Sequence, residues 1–155
     1  TTEIYTLSLH DALPISRRTS DSVDIKRIQL LLAVLEKRVH LSIGACDVYV
    51  KAAGGIRIDA PAADLGICVA MASSFANRRL LPKTILFGEV GLSGEVRAVS
   101  QAESRIREAA KLGFKNVILP KKNQDQLKGE GLPVGVHLYG AASLGDALRL
   151  AMPKE

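Results

Sequence analysis

Two stretches of this chain gather the residue types from which active sites are built: Asp59-Ala60-Pro61-Ala62-Ala63-Asp64, and Gly88 to Arg97 followed by Glu103. Asp59 ahead of Pro61 has the form of a helix start, with a capping carboxylate and a proline whose missing N–H costs nothing in the first turn. A turn of this kind can expose a reactive atom, which then needs a base to take its proton. The nucleophiles that follow are poorly placed for it. Ser73 and Ser74 lie well into the helix and read as solvated or core-lining. Cys68 falls on an apolar helix face, where an inert thiol is expected, and His137 has no acidic neighbour in sequence. Cys46, Cys68, His10, His40 and His137 have no metal-ligand spacing, so no metal site is expected. The glycine clusters Gly54-Gly55 and Gly129 to Gly135 lack the Lys-Ser/Thr of a phosphate-binding loop, so neither ATP hydrolysis nor a cofactor is expected. Arg57 and Arg97 each accompany a strand near the first turn; taken alone they read as solvated arginines, and Arg78, Arg79 and Lys83 as a charged loop.

The elements that must hold these residues are legible from periodicity. Ile25, Ile28, Leu31, Leu32, Leu35 and Val39 recur at three- and four-residue steps, the mark of one apolar helix face, with Lys26, Arg27, Lys37 and Arg38 elsewhere. Val48 and Val50 alternate with Tyr49 and Lys51; Gly54-Gly55 then leads to Ile56-Arg57-Ile58, so two strands joined by a turn are predicted. A second helix runs from Asp59 to about Phe75, almost all apolar over Leu65 to Ala72 and therefore buried on most sides, with Asp64 near the positive end of its dipole. Strands are predicted at Thr84 to Glu89, Glu95 to Val99, Val117 to Leu119 and Val134 to Leu138. Helices are predicted at Gln101 to Leu112, with Gly113 as its C-cap, and from Ser143, which forms a capping-box variant with Asp146, to Ala151. The order is α+β, with mixed short sheets and packed helices.

With 155 residues, 47% hydrophobic and 24% charged, the chain can bury one core. A net charge of +5 permits an acidic partner such as nucleic acid without requiring one. Trp is absent, so a base-stacking platform is not evident and any DNA contact falls on phosphates. No apolar run reaches the roughly 20 residues of a membrane span, and no signal peptide is visible, so no membrane association and a cytoplasmic location are expected. Residues 1–16, including the adapter-like Ser8 to Ser16, read as a non-native, disordered leader, and 17–155 as the domain, a fragment of a longer protein.

The second stretch is similar to the G-E-[hydrophobic]-x-L-x-G-x-V strand pair of Lon-type peptidases, through Gly88, Glu89, Leu92, Gly94 and Val96, and the spacing continues through Ala109, Gly113 and Asn116 to Asn123. In those peptidases a D-G-P-S-A-G turn carries a serine, and a lysine on a later helix is its base. Here the resemblance puts Ala62 at the serine and Glu103 at the lysine. Alanine has no nucleophilic atom, and a buried carboxylate is pushed toward its neutral acid, so the resemblance implies a degenerate site with no catalytic residue. Ile28 to Arg38, Asp47 to Gly55, Pro61 to Leu65, Phe87 to Phe114 and Val117 to Lys121 further resemble the C-terminal domain of the RadA (Sms) family of bacterial DNA repair proteins. That resemblance implies a Lon-protease-like fold over about residues 17–155. It also implies a DNA-dependent ATPase as the parent, assembly as a homo-hexamer, and DNA as a partner contacted by basic residues at Arg57 and Arg97. A live Lon-like endopeptidase with another nucleophile and a pure oligomerisation module without DNA contact are the alternatives.

Overall fold

The computed structural model describes residues 4–9, 16–127 and 131–154. Expectations that fall on the remaining positions, among them most of the leader, His10 and Gly129, lie outside the described residues.

The chain opens with β1 (Ile4–Leu9) and β2 (Arg18–Ser20), followed by α1 (Ile25–Val39). The apolar spacing of α1 buries Ile28, Leu31, Leu32, Val34 and Leu35. Asp24 caps its first turn by accepting the Lys26 N–H at 2.7 Å. Next comes β3 (Asp47–Ala52), whose alternating residues Val48, Val50 and Ala52 face the core. β3 is the centre of a three-stranded sheet, flanked by β1 antiparallel, Ile4 opposite Ala52, and by β2 parallel, Arg18 opposite Val48. β1 lies within the stretch read from the sequence as a leader. That segment is rich in β-branched and aromatic residues, and it covers an edge of β3 that would otherwise stay unpaired.

α2 (Asp64–Ala76) is entered through a single 3-10 turn, Pro61–Ala63. Two expectations fail here. Ile56 to Ile58 form no second strand, because Ala53–Gly55 makes a 3-10 turn with Gly54 and Gly55 at φ 75° and 67°, which sends the chain away from β3. Nor does Asp59 cap the helix; its carboxylate turns back to Arg57.

β4 (Thr84–Leu86), β5 (Glu89–Val90), β6 (Val96–Arg97), α3 (Ala102–Lys111), β7 (Asn116–Pro120), α4 (Lys121–Gln126), β8 (His137–Ala141) and α5 (Leu144–Ala151) complete the chain. β4, β7 and β8 form a parallel sheet in the order β4-β7-β8, and β5 with β6 a two-residue antiparallel pair. The last strand lies later than the Val134 to Leu138 predicted, since pairing with β7 sets Asn116 opposite His137 and leaves Val134 fully exposed. Alternation along β7 divides the interior. Ile118 joins the main core of α1, α2, β3 and α5, whereas Val117 and Leu119 pack on Phe87, Ala102 and Ile106 of a smaller one beneath α3.

At α5 the predicted capping box is complete: the Ser143 hydroxyl accepts the Asp146 N–H at 3.1 Å and Asp146 accepts the Ser143 N–H at 3.1 Å. Partial burial raises the Asp146 carboxyl, but hydrogen bonds from Ser143, Arg149 and Ala142 outweigh it and hold the group below its ordinary value. A carboxyl depressed on folding stabilises above its unfolded value, and that contribution is lost as pH falls through the folded one. Ser143→Ala is expected to cost about 1 kcal/mol at neutral pH in urea unfolding. The deficit should narrow in acid, since the part of the Ser143 contribution that favours ionised Asp146 is lost when Asp146 is protonated.

Candidate functional site

Two backbone hydrogen bonds fix the turn that carries Ala62. Gly88 N–H donates to the Ala62 carbonyl at 2.8 Å, and Leu65 N–H donates to the Gly88 carbonyl at 3.0 Å, which clamps the β4–β5 junction onto the start of α2. The approach needs glycine: a Cβ on Gly88 would lie 3.0 Å from Val96 Cγ1 and 3.2 Å from Pro120 Cγ.

Beneath the turn lies a partly buried ion pair. Arg27 of α1 places Nε and Nη2 each 2.6 Å from Asp64 Oδ1 and also donates to the Ala60 carbonyl at 2.7 Å, while Asp64 Oδ2 accepts the Val90 N–H at 3.2 Å. One carboxylate thus ties α1, the turn, α2 and β5 together, and its position in the first helical turn suits the dipole. Arg27 escaped the sequence reading because helical periodicity assigned it to the polar side of α1. The available signal was an acidic residue directly ahead of the apolar run Leu65 to Ala72, which needs a cation if it is buried.

Ala62 is buried and offers only a methyl group. Glu103 is exposed on α3 and bound to Arg107 one turn on, at 2.6 Å. Glu103 is therefore not buried, contrary to the sequence expectation; Arg107 is its partner at the surface. Among the described residues no hydrogen bond or ion pair joins it to the turn.

Arg97 lines a cleft of about 390 Å³ with Arg27, Asp59, Asp64, Glu89 and Leu92. It pairs with Glu95 at 2.7 Å and Glu89 at 3.7 Å. The Glu95 carboxyl is held below its ordinary value by its own backbone N–H first and by Arg97 next. Arg57 lies 3.0 Å from Asp59, and this contact raises the guanidinium further above its already high value. The structure thus brings Asp59 and Arg97 to one cleft, with Arg57 linked to it through Asp59. The remaining candidates take structural places. The Ser73 hydroxyl donates to the Arg78 carbonyl at 2.6 Å, closing the end of α2. Burial, then the nearby Asp64, pushes the Cys68 thiol up and keeps it protonated. His137 is exposed at the start of β8. Among the described residues no group of three potential metal ligands occurs, and no helix is long and apolar enough to cross a membrane.

Residues 25–149 match the Lon protease (S16) C-terminal proteolytic domain. The chain is 49% identical over 136 residues to the DNA repair protein RadA of Halalkalibacterium halodurans, covering 88% of this chain and 29% of that protein. It is 47% identical over 136 residues to that of Bacillus subtilis, with the same coverage, and 41% identical over 138 residues to that of Listeria monocytogenes, covering 89% of this chain and 30% of that protein. The chain thus spans less than a third of the length of these curated relatives.

Proposed function

The chain belongs to the Lon protease (S16) C-terminal proteolytic domain family, in the form similar to RadA proteins, and from that premise we propose that it is a catalytically dead scaffold domain of a bacterial DNA repair protein. The observation that carries this reading is the fate of the two catalytic positions, Ala62 a buried methyl and Glu103 a solvated, arginine-paired carboxylate. Ala62 has no hydroxyl from which an alkoxide could form, and Glu103 therefore has no nucleophile there to deprotonate. The turn is nevertheless held firmly in place, by the Gly88 clamp and the Arg27–Asp64 pair.

In the full-length parent, a DNA-dependent ATPase would drive branch migration of recombination intermediates in the cytoplasm while this domain assembles the ring, a homo-hexamer, and contacts DNA. Leu30 and Leu92, large apolar residues left exposed at the cleft, support self-association. Arg57 and Arg97, with side chains 76% and 55% exposed, would meet phosphates, their carboxylate partners holding them in place until an anion competes. Light scattering across a concentration series tests assembly; a strict monomer would assign the ring to the rest of the parent.

Casein incubated with the unmodified domain should remain uncut, and Ala62→Ser alone should not change this, since the base is still missing. Loss of the catalytic serine in a working serine peptidase lowers turnover about a millionfold, so the expected rate equals the blank. Cleavage blocked by a mechanism-based serine reagent would favour the live-peptidase alternative instead.

A further inference from the structure

The net charge of +5 is not presented at the cleft, where three carboxylates (Asp59, Asp64, Glu89) face two guanidinium groups. A group of cationic residues gathers instead at the start of the parallel sheet. Lys83 directly precedes β4 and Lys115 directly precedes β7; the Lys83 carbonyl accepts the Lys115 N–H at 2.9 Å and the Asn116 N–H at 3.0 Å. His137 at the start of β8 donates its N–H to the Lys115 carbonyl at 2.8 Å. All three residues are exposed, as are Arg79 in the preceding loop and Lys111 at the end of α3. The segments that build this end, Asn77 to Gly88, Ala109 to Asn123 and Gly131 to Gly145, contain no Asp or Glu. Glu108 nearby is engaged by Lys111 at 2.8 Å.

A second observation singles out Lys83. Among the described residues four non-glycine positions have positive φ, and His40, Asn77 and Gln101 all adjoin helix ends. Lys83, at φ 52°, does not. The left-handed conformation is unfavourable for a residue with a Cβ and suits glycine or asparagine better. Here it aims the Lys83 carbonyl at two N–H groups, while the long cationic side chain has no burial to account for its presence. A strained position carrying a side chain that the interior does not need points to a role at the surface.

We propose that this end of the sheet is a second contact surface for the DNA phosphate backbone, with Lys83 and Lys115 each engaging a phosphate. The proposal rests on the reading of the chain as a DNA-contacting domain. Phe114, the aromatic residue of these segments nearest the lysines in sequence, is partly buried, so the surface offers charge without an open stacking face, and its recognition is independent of sequence. From Lys83 to Gly88 the chain advances by about 17 Å at roughly 3.3 Å per residue. The two surfaces therefore occupy opposite ends of the sheet and could hold two segments of nucleic acid at once.

The test is fluorescence anisotropy of the chain with two labelled 20-bp duplexes of unrelated sequence across a salt series. The Lys83→Asn/Lys115→Gln variant removes both charges, and asparagine is more at ease at this backbone geometry, so its melting temperature should be unchanged or higher. Its affinity should fall at least tenfold on both duplexes, and the log–log salt slope should shrink by about 1.8, two phosphate contacts at about 0.9 each. Lys115→Arg, which keeps the charge, should bind like the unmodified chain. Unchanged affinity and slope in the double variant, with the unmodified chain binding, overturns this surface and leaves the DNA reading standing on Arg57 and Arg97, whose alanine variants serve as the parallel arm. Failure of the unmodified chain to bind either duplex overturns both. A loss of affinity that accompanies a lowered melting temperature would assign the lysines to folding and likewise overturn the surface.

Discussion

Asp64→Ala should lower the stability of the domain by about 3 kcal/mol, the lower end of what breaking a buried ion pair costs. The lower end applies because Arg27 keeps 19% of its side chain in solvent and can rehydrate in part. The loss comes less from a missing attraction than from what remains: a guanidinium held beside the apolar wall of α1, and a Val90 N–H whose acceptor has gone. Urea unfolding reads the effect as a lowered midpoint at unchanged slope. The joint replacement Arg27→Met/Asp64→Leu should recover most of it, since apolar pairs of similar volume often match or exceed buried ion pairs. If Asp64→Ala unfolds within 0.5 kcal/mol of the parent, the pair is not what holds the turn.

Leu65→Ala should cost about 2 to 5 kcal/mol. Leu65 is fully buried as the second residue of α2, its N–H is bonded to the Gly88 carbonyl, and its Cδ2 packs where a Cβ on Gly88 would stand, at 3.4 Å. Truncation leaves a cavity between the turn and the β4–β5 junction, and the backbone clamp on either side limits collapse into it. Leu92→Ala is the contrast. At 61% exposed, Leu92 should change stability by less than about 0.5 kcal/mol, so that a weaker tendency to self-associate in this variant can be assigned to the surface. Equal losses in the two variants would mean that the turn is not packed as described.

The α+β architecture and most helices were legible because their signals are local. α1 has an apolar stripe at helical spacing, α3 ends near Gly113, and α5 carries its own capping box. What sequence did not show was set by partners distant in the chain. Ile56 to Ile58 carry a strand-like pattern, yet the Gly54 and Gly55 conformation turns them away from β3. Ile4–Leu9 were set aside on composition and still pair along the whole of β3. α4 begins directly after Pro120, where the sequence pattern of the strand gives no warning. Ala62 and Glu103 were singled out by family spacing, and only the structure places one inside and the other in solvent. Arg27 was invisible because its partner lies in another helix.

The position of α5 bears on how the chain is made. Leu144, Ala147, Leu148, Ala151 and Met152 belong to the same apolar interior as Ile28, Leu31 and Leu35 of α1. Within this domain α1 therefore waits for α5 before its apolar stripe is fully covered, and Ile118 in the middle of β7 joins the same wait. Contacts between the two ends of a sequence are slow to form, and a nascent chain that lacks them exposes surface prone to aggregation. In a nascent chain stalled before Leu144 this domain should stay protease-sensitive, and its resistance should arise in a single step once α5 has cleared the exit tunnel.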